Sequence, residues 1–167
     1  MALFKNGSFA TDDWRTVGEG EAAPAAGHVI FTLEWWKQER HVYDGSNVAI
    51  GLLIEPATKL EDIAEDLHRF ALVAVSFPKF GDGRGYSQAC LLRERYGFKG
   101  ELRATGDVLL DQLQIMSRCG FDSFDINDGN TIKALEEGRL TLMKHFYQPG
   151  EGAEVKVGTR PWLRRPA

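Results

Sequence analysis

The feature that most limits the fold is a succession of short strand-like runs, the first three nearly continuous in apolar residues, each followed by a helical stretch. The runs are Val29-Ile30-Phe31, Val48 to Ile54 (VAIGLLI), Ala71 to Phe77 (ALVAVSF), Glu101 to Thr105 and Phe121 to Ile126. Leu33, Trp36, Arg40 and Tyr43 follow the first, and Leu60, Ile63, Ala64, Leu67 and Phe70 mark one helix face after the second. Ser87 to Tyr96 reads as a helix stopped by Gly97, and Val108 to Cys119 as a helix ended by Gly120. Thr131 to about Met143 reads as a helix with Asp128 or Asn130 as its cap. Strands alternating with helices build a parallel sheet through right-handed crossovers. Strands with few polar positions suit burial on both faces. The expected fold is α/β, with about five strand–helix repeats starting near residues 29, 48, 71, 101 and 121. They form either an incomplete (β/α) barrel or an open doubly wound sheet, being too few for a closed eight-stranded barrel.

Residues 1–27 read as an N-terminal arm and linker. Asn6-Gly7 between Phe4 and Phe9 is a hairpin turn signal, and Trp14 is the anchor expected to dock on the core. The core domain spans 28–148, with His145 to Gln148 as a last short strand. The tail, 149–167, is basic (Lys156, Arg160, Arg164, Arg165) and offers Trp162 as a docking point. Of Trp35 and Trp36, one is expected in the core. An open sheet has uncovered edges, which predicts self-association as a dimer.

Composition removes several classes of function. The 167 residues carry a net charge of −4, which gives no reason to expect nucleic acid or an anionic membrane as partner. No apolar run approaches a membrane span, and the first residues lack the basic-then-apolar order of a signal peptide. The cytoplasm is the expected address. Two cysteines cannot by themselves ligate a cluster or a four-cysteine zinc site, and the four histidines are scattered. No metal is expected. Cys90 and Cys119 read as buried small hydrophobes, with Cys90 the better reactive candidate because Cys119 sits at a helix C-terminus.

In parallel α/β folds, ligands bind where the loops following the strands share one edge of the sheet. After the first and second strands come Thr32, Glu34 and Glu55. After the last come Asp125, Asn127 and Asp128. The third loop, Pro78 to Ser87 (PKFGDGRGYS), is the most informative. Its glycines allow backbone amides to approach an anion, and the helix it opens adds a partial positive charge. The spacing is neither a dinucleotide fingerprint nor a P-loop. Six cations face three acids over residues 79–103, against the acidic balance of the whole chain. An oxyanion site is therefore expected from Lys79, Gly83, Arg84, Gly85, Tyr86, Ser87 and Arg103, with Asp82 or Asp107 as acid or base. Asp111 lies four residues beyond Asp107, so the two share a helix face. The plainer alternative is that the glycines only turn the chain, Asp107 caps the helix, and the arginines pair with Asp82, Asp107 or Glu101 to hold the loops.

The stretch Phe77 to Phe124 (FPKFGDGRGYSQACLLRERYGFKGELRATGDVLLDQLQIMSRCGFDSF) strongly resembles a family of short uncharacterised bacterial proteins encoded beside assimilatory sulfite reductase. Gly7, Asp13, Trp14 and Tyr147-Gln148-Pro149 share the resemblance. Members carry an oxidoreductase label in sulfite reduction. The resemblance implies a setting in sulfur assimilation, with sulfite, sulfate or a phosphorylated metabolite as ligand and sulfite reductase as a candidate partner. No flavin, nicotinamide, haem or cluster motif is visible, so the label leaves the electron carrier unidentified. Three functions follow: an accessory protein or oxidoreductase of sulfite reduction with an oxyanion site, a non-catalytic docking or assembly module for sulfite reductase, and an enzyme acting on a phosphorylated small molecule.

Overall fold

The computed structural model describes residues 2–140 apart from 19, 22–23 and 44–47. The expected last strand at 145–148 and the basic tail lie outside the described residues. Among the described residues the eight strands are β1 (Ala2–Lys5), β2 (Ser8–Ala10), β3 (Trp14–Val17), β4 (His28–Thr32), β5 (Ala49–Ile54), β6 (Phe70–Phe77), β7 (Glu101–Gly106) and β8 (Ser123–Ile126). They form one sheet in the order β2-β1-β8-β7-β6-β5-β4-β3. Strands β3 to β8 are parallel neighbours in chain order, whereas β1 runs antiparallel to both β8 and β2. A doubly wound sheet reverses its order at a switch point. None occurs here, so the sheet is an open, curled, incomplete barrel.

The segment read as an arm supplies three strands. Asn6 and Gly7 take φ of 54° and 80°, the left-handed pair that a two-residue hairpin turn demands. The turn seats Phe4 opposite Phe9. Only residues 11–13 join β2 at one edge of the sheet to β3 at the other. That link reaches at most about 14 Å, while a flat eight-stranded sheet would hold its edges roughly 33 Å apart. The sheet must therefore roll up. Among the described residues β2 and β3 still have one neighbour each, so the sheet stays open.

Curling gives two faces. Val29, Phe31, Leu52, Ile54, Val73, Val75, Phe77, Leu102, Ala104, Phe124 and Ile126 point outward into the main core beneath the helices. Trp35 and Trp36 are both buried there, against the expectation of one. Strand registers turn the alternate residues inward: Trp14, Ile30, Gly51, Leu72 and Ala74 on one side, Glu101, Arg103, Thr105, Ser123 and Asp125 on the other. Trp14 packs over Gly51, where a Cβ would meet its ring at 3.1 Å and Ile30 at 3.0 Å.

The connections are not five like repeats. They comprise α1 (Leu33–Glu39), a ten-residue 3-10 helix (Leu60–Arg69), α2 (Arg84–Glu94), α3 (Leu113–Arg118) and α4 (Gly129–Glu136). The long helix expected over 108–119 shrinks to six residues. Leu109 gives its amide to Gln112 Oε1 at 3.0 Å and Leu110 gives its amide to Thr131 Oγ1 at 3.2 Å, so side chains hold this stretch as turns. α4 keeps its expected cap: Asp128 accepts from the Thr131 amide at 2.7 Å. It ends earlier than expected, before Gly138 at φ 69°.

Candidate functional site

The C-terminal ends of β6, β7 and β8 carry the residues marked by the sequence, but on opposite sides of the sheet. On the outer side lies the loop between β6 and α2. Asp107 takes its own amide to the Phe77 carbonyl at 2.7 Å and accepts from the Phe80 amide at 2.9 Å. It therefore ties this loop to the end of β7 and does not cap α3, whose N-cap is Gln112. Gly106, at φ 102°, allows that approach, since a Cβ there would lie 2.5 Å from the Phe77 carbonyl oxygen. Lys79, Phe80 and Ser87 are exposed, as are Asp107 and Asp111.

Asp82 and Arg84 form a compact unit at the start of α2. Asp82 Oδ1 accepts from the Arg84 amide at 3.2 Å and from its Nε at 2.9 Å, while Oδ2 accepts from the second guanidinium nitrogen at 2.7 Å. These bonds from Arg84 hold the Asp82 carboxyl down to about 2. Gly83, the N-cap, offers no side chain to the helix amides. Gly85 has a packing role: a Cβ would lie 2.6 Å from the buried Phe77 ring. Tyr86 rests edge-on against that ring at 5.3 Å. Burial raises its phenol pKa, against the opposing pull of the nearby Gln112 side chain.

Arg103 is elsewhere. It points into the curl, 3% exposed, and is held by two carboxylates. One terminal nitrogen donates to both oxygens of Asp12, at 3.0 and 2.9 Å. Nε and the other terminal nitrogen donate to Glu101 Oε1 at 3.2 and 3.0 Å. Glu101 also accepts from Lys5 and from Ser123 Oγ. Burial alone would raise the Glu101 pKa, but the bonds from Lys5, Ser123 and Arg103 outweigh it and lower the net value. Beyond this network, Asp125 Oδ2 accepts from Thr105 Oγ1 at 3.2 Å, while its buried Oδ1 has no partner among the described residues. Burial raises the Asp125 pKa against the opposing pull of Thr105 and Arg103. A buried carboxyl of this kind can exchange a proton near the end of β8, or accept a hydrogen bond from a small ligand.

Lys79, Asp82, Gly83, Arg84, Gly85, Tyr86, Ser87 and Asp107 thus gather around one outer loop, and Arg103 is separate from them on the inner face. The residues that engage it, Lys5, Asp12, Glu101 and Ser123, were missed as a site, as was the buried role of Asp125. The available signal was the period-two placement of polar residues in otherwise apolar strands: Glu101, Arg103 and Thr105, then Ser123 and Asp125. No group of three metal-ligating side chains occurs among the described residues, and none of their helices is long and apolar enough to cross a membrane.

The model of a family described as bacterial protein of unknown function (DUF934) matches residues 51–157. The match takes in the outer loop, Glu101, Arg103 and Asp125, and leaves Lys5 and Asp12 outside. No curated protein matches the chain.

Proposed function

The chain belongs to the DUF934 family of bacterial proteins of unknown function, and we propose that it acts in assimilatory sulfite reduction as an accessory protein that binds a small oxyanion at the start of α2. The observation that carries this reading is the seat of Asp82. Its carboxylate meets the Arg84 amide and guanidinium at the positive end of an eleven-residue helix. The position is thus suited to an anion, and a tethered one occupies it. Arg84 is exposed and Asp82 partly so, and an ion pair open to water on one side exchanges with solvent. A free oxyanion displaces Asp82, takes the Arg84 fork and draws in the exposed Lys79. Asp82, once displaced, and Asp107 are the nearby carboxylates available as proton acceptors should chemistry follow. The sulfur setting comes from the resemblance of Phe77 to Phe124 to the family encoded beside sulfite reductase.

Calorimetric titration with sulfite, sulfate and phosphate tests the reading. Wild type is expected to bind sulfite in the micromolar to millimolar range, Asp82→Asn several-fold more tightly, and Arg84→Ala not at all. Absence of binding in both wild type and Asp82→Asn would overturn it. A clear preference for phosphate would favour the enzyme acting on a phosphorylated metabolite. Self-association belongs to the same proposal, because β2 and β3 each have an edge unpaired among the described residues. Light scattering that shows only single chains at tens of micromolar would remove it.

A further inference from the structure

Cys90 and Cys119 lie 29 residues apart, with no spacing that suggests a pair. Contacts at both ends of α2 fix its register along the segment that contains α3. In the first turn of α2, Tyr86 lies near Gln112, the N-cap of α3, whose side chain acts on its phenol. In its last turn, Arg93 donates Nε to the Gly120 carbonyl at 3.0 Å. The fit there is close, since a Cβ on Gly120 would lie 2.5 Å from Arg93 Cγ. Cys90 falls between them, four residues after Tyr86 and three before Arg93, so all three share one helix face. Cys119, the C-cap of α3 and the residue before Gly120, lies opposite. The close Arg93–Gly120 contact therefore brings the two thiols near enough to act on each other's ionisation, and both are free and partly accessible.

We propose that Cys90 and Cys119 form a dithiol–disulfide couple, a two-electron redox site whose oxidant is a small-molecule disulfide and whose reductant is a small thiol. The thiolate of Cys90 attacks one sulfur of the small disulfide, giving a mixed disulfide and releasing one thiol. Cys119 then loses its proton and attacks the Cys90 sulfur, forming the internal disulfide and releasing the second thiol. Two protein thiols and one disulfide thus become one protein disulfide and two thiols, and a reducing thiol reverses each step. The roles follow from the surroundings. Burial and the neighbouring Cys90 push the Cys119 thiol up to about 12, and its place at a helix C-terminus acts in the same direction. Cys119 is therefore the resolving sulfur. Arg93 keeps the two sulfurs in register: besides Gly120 it bonds the carbonyls of Phe98 and Gly100 and the Asp122 carboxylate. The couple is independent of the oxyanion site on the outer loop.

The test is equilibration of the folded wild-type protein with mixtures of reduced and oxidised glutathione, followed by alkylation with N-ethylmaleimide and mass spectrometry. The expected result is a single two-electron transition in which both alkylatable thiols disappear together, the mass falls by two hydrogens, and a peptide pair joins Cys90 to Cys119. Cys119→Ser is expected to accumulate glutathione on Cys90, and Cys90→Ser to remain largely unmodified. Continued alkylation of both thiols in fully oxidised buffer, a stable mixed disulfide in wild type, or a disulfide between two chains would each overturn the proposal.

Discussion

Arg103 is the residue on which the inner face depends. A buried guanidinium is tolerated only when its donors are met, and Asp12 and Glu101 meet them with four hydrogen bonds. Arg103→Ala takes the guanidinium from Asp12 and leaves Glu101 with Lys5 and Ser123 alone, and is expected to lower stability by about 3 kcal/mol in urea unfolding. Arg103→Lys keeps the charge but cannot span two carboxylates as a planar fork does, so it too should destabilise. A lysine variant as stable as wild type would show that charge alone suffices. Asp125 sets a pH dependence of definite sign. Its folded pKa is raised, so the folded state holds this proton more tightly than the unfolded chain. Its stabilising contribution is complete below the unfolded value of about 3.9 and is lost as pH rises through the raised folded value. Asp125→Asn should therefore flatten the decline of urea midpoints above that range, and an unchanged decline would place its origin elsewhere. Glu101 has the opposite sign. Its pKa is lowered, so its contribution is present above the unfolded value and fades as pH falls through the folded one.

At the scale of elements, the packing of α2 on β6 turns on one absent methyl. Phe77 is 1% exposed and lies between Tyr86 and Phe121, at 5.3 and 5.8 Å between ring centroids. Gly85→Ala would place Cβ 2.6 Å from that ring. The predicted cost is about 1–3 kcal/mol, read as a lower thermal midpoint, with partial recovery when Phe77→Leu is added. If Gly85→Ala is neutral, α2 can shift and its seat is not fixed. The glycine itself was visible in the sequence, but its reason was not. A G-x-G-x-G loop looks like a phosphate cradle, whereas this glycine meets an aromatic ring brought in by β6. The segment at 60–69 shows the reverse case. Leu60, Ile63 and Leu67 are buried as their spacing required, yet the helix is 3-10, a distinction that spacings of three and four residues do not resolve.

For the whole molecule, the short link at 11–13 is decisive. It joins the two edges of the sheet, and its Asp12 reaches across to Arg103 on β7. It also accepts from the Trp14 amide at 3.2 Å, which positions the start of β3. Asp12→Ala is expected to cost about 1.5–3 kcal/mol, the range for hydrogen bonds to charged groups. Hydrogen exchange should quicken in β2 and β3 and stay slow in β5 to β7. Unchanged exchange at the edges would mean that the hairpin and β4 hold them without the link.

The amino-acid order by itself determined the five strands β4 to β8, the hairpin turn at Asn6-Gly7 and the α/β class, and narrowed the cap of α4 to Asp128 or Asn130. These rest on period-two and helical spacing, turn chemistry and capping, all local properties of the chain. Tertiary structure decided the rest because the deciding contacts join distant residues. Arg103 and Arg84 lie in adjoining strand–helix segments, yet a strand's alternation sends one inward while the other opens a helix on the outer side. Arg103 finds Asp12 across 91 residues, and Lys5 finds Glu101 across 96. Cys90 meets Cys119 only because α2 lies along the segment holding α3. No sequence spacing encodes those meetings. They follow from the curl of the sheet, which is set by its strand order and by a link too short to let it lie flat.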